Sequence, residues 1–179
     1  MPRFFAFLRA INVGGHVVKM EALRDLFTGL GFSAVETFIA SGNVIFQCKS
    51  GKAGDLEKRI AGHLETNLGY PVATFLRNDK ELGAITVYQP FAEEAVRTAG
   101  AFCVGFLAEP MGSPQREALM NLQTDIDTFH VHGREIYWLC RKRQHESTIS
   151  NAFLDRKLKV PFTFRNTTTV AKLAAKYLA

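Results

Sequence analysis

Cysteines are few in this sequence, and it has no long apolar run. Its three cysteines, Cys48, Cys103 and Cys140, lie far apart and form no CxxC pair. An odd, scattered set is typical neither of a disulfide framework nor of a zinc or redox site, so we expect small core residues. The longest apolar runs, at residues 4–8 and 101–108, are far shorter than the ~20 residues that span a membrane. The sequence therefore predicts neither a metal centre nor a membrane helix.

The amino terminus lacks the pattern of a secretory leader. Arg3 and Arg9 interrupt the opening apolar stretch, and no small-residue cleavage site follows it. Together with the cysteine usage, this predicts a cytoplasmic protein. Of the 179 residues, 47% are hydrophobic and 22% are charged, which excludes disorder for most of the chain.

Charge is unevenly distributed along the chain. The formal net charge is +5, but residues 1–130 carry 12 Lys and Arg against 14 Asp and Glu, whereas residues 131–179 carry 10 against 3. The basic excess therefore lies in the last quarter of the sequence. Such an asymmetry favours an anionic partner for one surface without identifying it.

Hydrophobic periodicity predicts the element order βαββαβ twice. Residues that alternate in hydrophobicity indicate strands, and apolar residues at helical spacing indicate helices. Gly31 and Gly69 are natural helix ends, and Ser41-Gly42-Asn43 is typical of a hairpin turn. The first set is strand 2–11, helix 20–30, strands 34–40 and 44–49, helix 56–68 and strand 71–77. The second set is strand 101–108, helix 114–122, strands 128–132 and 135–140, helix 147–158 and strand 162–165.

This repeated order predicts an α+β protein of two tandem ferredoxin-like subdomains. We expect the first subdomain at residues 1–80, a helical connector at 81–99, the second subdomain at 100–166 and a C-terminal helix at 167–179. The repeat is one of element order rather than of residue identity.

The predicted topology brings two loops of the first subdomain together. Its first and third strands are expected side by side and antiparallel, so the loop after strand one meets the hairpin. This places the polar and glycine residues of both loops at one end: Arg9, Asn12, Gly14, Gly15, His16, Ser41, Gly42 and Asn43. The matching end of the second subdomain, at residues 110–112 and 132–134, is less polar.

Several motifs resemble one bacterial family. They are Arg9-Ala10-Ile11-Asn12-Val13-Gly14-Gly15, Lys19-Met20, Leu23-Arg24, Leu30-Gly31-Phe32, Ser41-Gly42-Asn43-Val44-Ile45-Phe46 and, at the other end, Thr163-Phe164-Arg165-Asn166 with Thr169-Val170 and Leu173. Together they resemble the family named domain of unknown function 1697, over essentially the whole chain. Thr167 and Ala40 depart from the pattern, which has an aromatic residue and a glutamine there. The resemblance implies two ferredoxin-like halves and no activity.

The loop of the first subdomain is a candidate anion site. Gly14 and Gly15 could offer backbone amides to a phosphate, with Arg9 and Lys19 as charge partners. The pattern is neither GxGxxG nor a P-loop, and a sharp turn that passes close to the hairpin is the favoured explanation of the two glycines. Ser41 fits a turn better than a nucleophile, although His16 would be its base if it reacted.

Three further sets of residues have both a structural and a functional interpretation. Arg165 and Asn166 precede threonines that can cap the last helix, but capping does not require a guanidinium, so Arg165 is expected to pair with a buried acid or contact a ligand. His130 and His132 share one face of a strand, which suits a metal, yet no further ligand is identifiable and two surface histidines are favoured. Asp125 and Asp127 fit a turn better than acid-base chemistry.

The densest charge is the run Arg141-Lys142-Arg143, which follows a predicted strand. With the lysines and arginines of the last two helices it could bind phosphate backbones, and the alternative is a solvated surface.

Both faces of each sheet carry apolar residues. We expect the outer faces to pack on each other or on a second copy of the chain, which disfavours base stacking across them.

The leading functional prediction is non-enzymatic binding of an anionic ligand, with nucleic acid as one candidate. The ligand-binding residues are Arg9, Asn12, Gly14, Gly15, Ser41, Asn43, Arg165 and Asn166, and the nucleic-acid-binding residues are Arg141, Lys142 and Arg143. No catalytic set, metal site or cofactor is predicted. The alternatives are an enzyme acting on a small phosphorylated or carboxylated substrate and a homodimeric interaction module.

Overall fold

Each half of the chain follows the order βαββαβ, as the sequence predicted. The computed structural model describes residues 1–11, 15–39 and 42–179. It divides into one unit of Met1–Ile85 with Lys176–Ala179 and a second unit of Thr86–Ala175. The two tandem ferredoxin-like subdomains of the predicted α+β fold are confirmed. Within the described residues, no helix combines the length and apolar character that crossing a bilayer requires.

The first unit contains one antiparallel sheet in the order β2-β3-β1-β4. Its central strand β1 pairs with β3, which confirms the predicted neighbour, and also with β4. Helix α2 ends at Gly69, whose left-handed φ of 85° favours glycine. The elements are β1 (Arg3–Leu8), α1 (Met20–Gly29), β2 (Ser33–Thr37), β3 (Asn43–Gln47), α2 (Ala53–Leu68) and β4 (Thr74–Asn78).

The core of the first unit lies between the helices and one face of the sheet. Phe32 and Phe46 stack there with ring centroids 4.3 Å apart. On the opposite face Phe5 and Phe7 are also buried, and Tyr177 packs edge-on against Phe5. The outer aromatic rings of this sheet are therefore not available for base stacking.

The second unit repeats the sheet in the order β6-β7-β5-β8. Residue pairing is antiparallel throughout, and β6 lies at one edge. The remaining elements are α3 (Asp79–Val87), α4 (Glu93–Thr98), β5 (Ala101–Phe106), α5 (Ser113–Met120), β6 (Asp127–His132), β7 (Glu135–Cys140), α6 (Asn151–Leu158), β8 (Thr163–Asn166) and α7 (Thr167–Tyr177).

The helix predicted at residues 147–158 begins later than expected. A short 3-10 turn occupies Gln144–Glu146, and α6 starts only at Asn151. The Ser150 hydroxyl accepts a hydrogen bond from the Phe153 amide at 3.1 Å, which caps the helix. The spacing of apolar residues carries no information about this cap. The predicted start of the helix, at residue 147, was therefore wrong by four residues.

Candidate nucleic-acid interface

The basic run lies directly after β7, and its three side chains are exposed. They belong to Arg141, Lys142 and Arg143. The backbone beneath them is held at both ends. The Arg141 amide donates to the Ile126 carbonyl at 2.9 Å, and the Arg143 amide donates to the Glu146 carboxylate at 3.1 Å. The Glu146 amide donates back to the Arg143 carbonyl at 2.9 Å. The run is therefore a fixed turn that presents three cations.

The Arg141 guanidinium lies along strand β6. Its Nη1 donates to the Thr128 hydroxyl at 2.9 Å and is 3.4 Å from the carbonyl oxygens of Asp125 and Ile126. Thr128 shares a sheet face with His130 and His132 because side chains alternate along a strand. The guanidinium is thus placed at the start of a row of polar side chains on an edge strand.

Aromatic rings continue this row. The Tyr88 hydroxyl and His130 Nε2 are 2.7 Å apart, and the Tyr88 ring stacks on His132 at 4.1 Å with 15° between the planes. The buried Tyr137 ring lies 5.2 Å from Tyr88 on the same face. The rings therefore run from buried Tyr137 through half-buried Tyr88 to exposed His132.

The environment of His130 favours its neutral form. Burial lowers the pKa of its imidazole, and the charges of His132 and Arg116 lower it further. The Nε2 of the neutral ring can accept a hydrogen bond from the Tyr88 hydroxyl, and this bond holds Tyr88 over the strand. Arg116 adds positive charge to the surroundings of His130.

A buried carboxylate supports the start of β6. Asp127 is 1% exposed and accepts from Trp138 Nε1 at 2.8 Å and from the Ser147 hydroxyl at 2.6 Å. Trp138 belongs to β7, and Ser147 follows the 3-10 turn. Asp127 thereby links β6 and β7, which precede the basic run, to Ser147, which follows it. The sequence predicts an ordinary turn at Asp127, whereas Asp127 begins β6 and accepts both of these bonds.

Positive charge is distributed evenly between the units. The first unit carries 11 Lys and Arg against 8 Asp and Glu, and the second carries 11 against 9. The basic excess of residues 131–179 is offset by the acidic residues that precede it in the same unit. A case for an anionic partner therefore depends on the local run and not on net charge.

Arg165 and Asn166 differ in their surroundings. The Arg165 guanidinium is buried, donates to the Thr163 hydroxyl at 2.8 Å and to the Phe164 carbonyl at 2.9 Å, and burial lowers its pKa to about 10. Asn166 is exposed and accepts from the Cys103 thiol at 3.3 Å. Thr167 begins α7 and donates to the Phe102 carbonyl at 3.2 Å.

The predicted site of the first unit is described only in part. Asn12, Gly14 and Ser41 lie outside the described residues. Arg9 is half-buried and its amide donates to the Ala73 carbonyl at 3.0 Å, whereas Gly15 is exposed with a φ of 86°. Asn43 is 2% exposed, and its amide group donates to the Phe38 carbonyl at 3.0 Å. Asn43 therefore stabilises the hairpin from inside.

Metal-ligating side chains do not converge in the described part of the chain. No group of three or more His, Cys, Asp or Glu residues there could hold an ion. His130 and His132 share a face, as predicted, but their partners are aromatic rings.

Comparison with known proteins identifies the family of this chain and a similar solved structure. The profile of the family described as Protein of unknown function (DUF1697) matches residues 1–137. The chain belongs to this family. No curated protein matches it in sequence. It is similar to a solved structure of the conserved bacterial protein SP0830 from Streptococcus pneumoniae, with 26% identity and a TM-score of 0.77 over 100% of this chain and 99% of that one.

In this DUF1697 member, the candidate interface includes two residues that the sequence does not single out. Tyr88 falls in the predicted helical connector, and Thr128 is an ordinary position of a predicted strand. The only available signal was the period-two row of Thr128, His130 and His132 beside the basic run. Nothing in the sequence indicated that Tyr88, 42 residues earlier, would bond to His130.

Proposed function

We propose that this protein binds an anionic polymer, a nucleic acid, through Arg141, Lys142 and Arg143 and does not catalyse a reaction there. The observation that carries the proposal is the fixed turn in which all three basic side chains are exposed. Cations held on an ordered backbone lose little conformational freedom when they meet phosphates, so their attraction is retained as affinity.

The polar end of the first sheet, with Arg9 and Asn43, is a weaker candidate for the binding site. Asn43 is buried within the hairpin, and Arg9 is half-buried. The described residues of that end therefore present fewer accessible polar groups than the turn after β7.

The test is fluorescence anisotropy of labelled single-stranded RNA and DNA across a salt series. We expect salt-dependent binding by the wild type and a loss of that dependence in the Arg141→Ala, Lys142→Ala, Arg143→Ala triple variant. Three lost phosphate contacts would reduce the slope of log K against log salt by about 2 for a single strand.

A charge-matched control separates a local contact from net charge. Lys49, Lys52 and Lys58 are three exposed lysines of the first unit. Their triple alanine variant removes the same charge and should keep the wild-type slope. Equal losses in both variants, or no binding by the wild type at low salt, would overturn the proposal.

A further inference from the structure

The exposed edge of the second sheet combines cations with aromatic rings. We define the β6 strip as Arg141, Thr128, His130, Tyr88 and His132, which follow one another along this edge through the contacts given above. The centre of the same sheet face is closed, since Val104, Phe106, Tyr137 and Leu139 are buried. Of the rings on this face, Phe106 and Tyr137 are buried, Phe102 is half-buried, and His132 at the edge is exposed.

We infer that the β6 strip binds a single-stranded nucleic acid, with bases stacked on the Tyr88–His132 pair and phosphates on Arg141 and its basic neighbours. This inference rests on the proposed function and adds to it the strand state of the ligand and the residues that contact bases. Stacking on aromatic side chains is the common way in which proteins hold unpaired bases.

The geometry of the ring pair suits this role. Tyr88 and His132 are already parallel, and the outer member of the pair is exposed. The Tyr88 ring is held by its hydroxyl contact with His130 and by the neighbouring Tyr137 ring. A base that continues the stack would therefore lie on a ring pair whose inner member, Tyr88, is held in place.

The spacing of charge and rings also fits a polymer. Thr128, which binds the Arg141 guanidinium, and His132 are four residues apart on one strand, a distance of about 13 Å at the rise of a β-strand. A ligand that contacts both Arg141 and the ring pair must span several bonds of a chain. A single small anion at Arg141 would leave the rings unused.

A duplex does not fit the same arrangement. Its bases are stacked inside the helix, so only its backbone could contact the strip. Arg141, Lys142 and Arg143 would still attract it through phosphate charge. We therefore expect single strands to bind more tightly than duplexes of equal length, and the difference to depend on the rings.

The experiment compares ring variants with the basic triple variant in the full-length protein. Tyr88→Ala and His132→Ala should each weaken binding of a single-stranded oligonucleotide by about 5- to 100-fold, with the salt slope unchanged. Tyr88→Phe and His132→Phe keep a ring and should retain most of the affinity. Binding of a duplex should be the same in all four ring variants.

The first unit offers a matched control. His16 and Tyr70 also stack, at 3.8 Å with 24° between the planes, and His16 is exposed. His16→Ala should leave oligonucleotide binding unchanged. Thermal melting establishes whether each variant is folded. If an alanine variant is unfolded, the two phenylalanine variants still test the proposal.

Failure of this inference can be distinguished from failure of the proposed function. If the basic triple variant loses binding while Tyr88→Ala and His132→Ala do not, phosphate binding stands and base stacking is wrong. If wild-type protein binds duplex as tightly as single strand, base stacking is likewise wrong. If the wild type binds no oligonucleotide at low salt, both are wrong.

Discussion

Gly100 lies against the backbone of Lys142 with no space for a side chain between them. A Cβ at Gly100 would overlap the Lys142 carbonyl group and approach the Arg143 amide. The Gly100 amide also donates to the Cys140 carbonyl at 2.9 Å. The chain before β5 thus fixes the backbone of the basic run.

Gly100→Ala should therefore displace the basic run. We expect a loss of about 1–3 kcal/mol in the free energy of unfolding, because backbone atoms must shift to admit the methyl group. Urea denaturation measures it. Gly62→Ala is the matched control, since nothing lies near that position inside α2, and it should stabilise the protein by up to about 1 kcal/mol. Unchanged stability in Gly100→Ala would contradict the packing.

Asp127 should be a stability determinant. Asp127→Ala leaves the buried Trp138 Nε1 without the acceptor 2.8 Å away, and an unpaired buried donor costs about 1–3 kcal/mol. Chemical denaturation of Asp127→Ala and of Asp125→Ala gives the comparison. Asp125 is exposed, so its removal should change stability by no more than about 0.5 kcal/mol. Equal effects of the two substitutions would refute the assigned role of Asp127.

Stability should fall on mild acidification, in part through His130. Its pKa is lowered in the folded chain from 6.5, first by burial and then by the charges of His132 and Arg116. The unfolded chain then binds the proton more readily, so the free energy of unfolding decreases as pH falls through 6.5 toward the folded pKa. Urea titrations at pH 7.5 and 5.5 measure the decrease, and His130→Gln should make it smaller. A pH dependence identical to that of the wild type would count against the assignment.

The three cysteines should differ in reactivity. Burial raises the pKa of Cys103 to about 11, with the neighbouring Cys140 thiol adding to the effect, and burial also raises the pKa of Cys140. Cys48 is half-buried. Because the thiolate is the reactive form, alkylation of native protein at pH 7.5 should modify Cys48 first, and the other two should react on unfolding. Early modification of Cys103 in peptide maps would argue against this burial.

The fold was predictable because its signals are local. Alternating and helical periodicity located the strands and helices, and Gly69 marked the end of α2. One short repeat of residue identity accompanies the repeat of element order. Arg77-Asn78 and Arg165-Asn166 end the last strand of each sheet, and each guanidinium is buried and donates to the carbonyl of the preceding residue. Two residues are too short a match to be noticed without the paired strands.

The candidate interface was predictable only in part. The basic run is visible as charge density, but its fixed backbone depends on Gly100 and Glu146, and the ring pair depends on Tyr88. These partners are brought together by strand pairing and loop packing, which local patterns do not encode. The basic excess of residues 131–179 does not make the second unit strongly basic, because that unit begins at Thr86 and includes the acidic residues that precede residue 131.

The most direct test of nucleic-acid binding at the β6 strip is photochemical cross-linking of a 4-thiouridine-containing single-stranded RNA, with mass-spectrometric mapping of the adducts. The predicted result is adducts within residues 86–92 and 128–143 that unlabelled single strand competes away and duplex competes away poorly. Adducts confined to residues 1–85, or no more adducts than in a sample that was not irradiated, would contradict it.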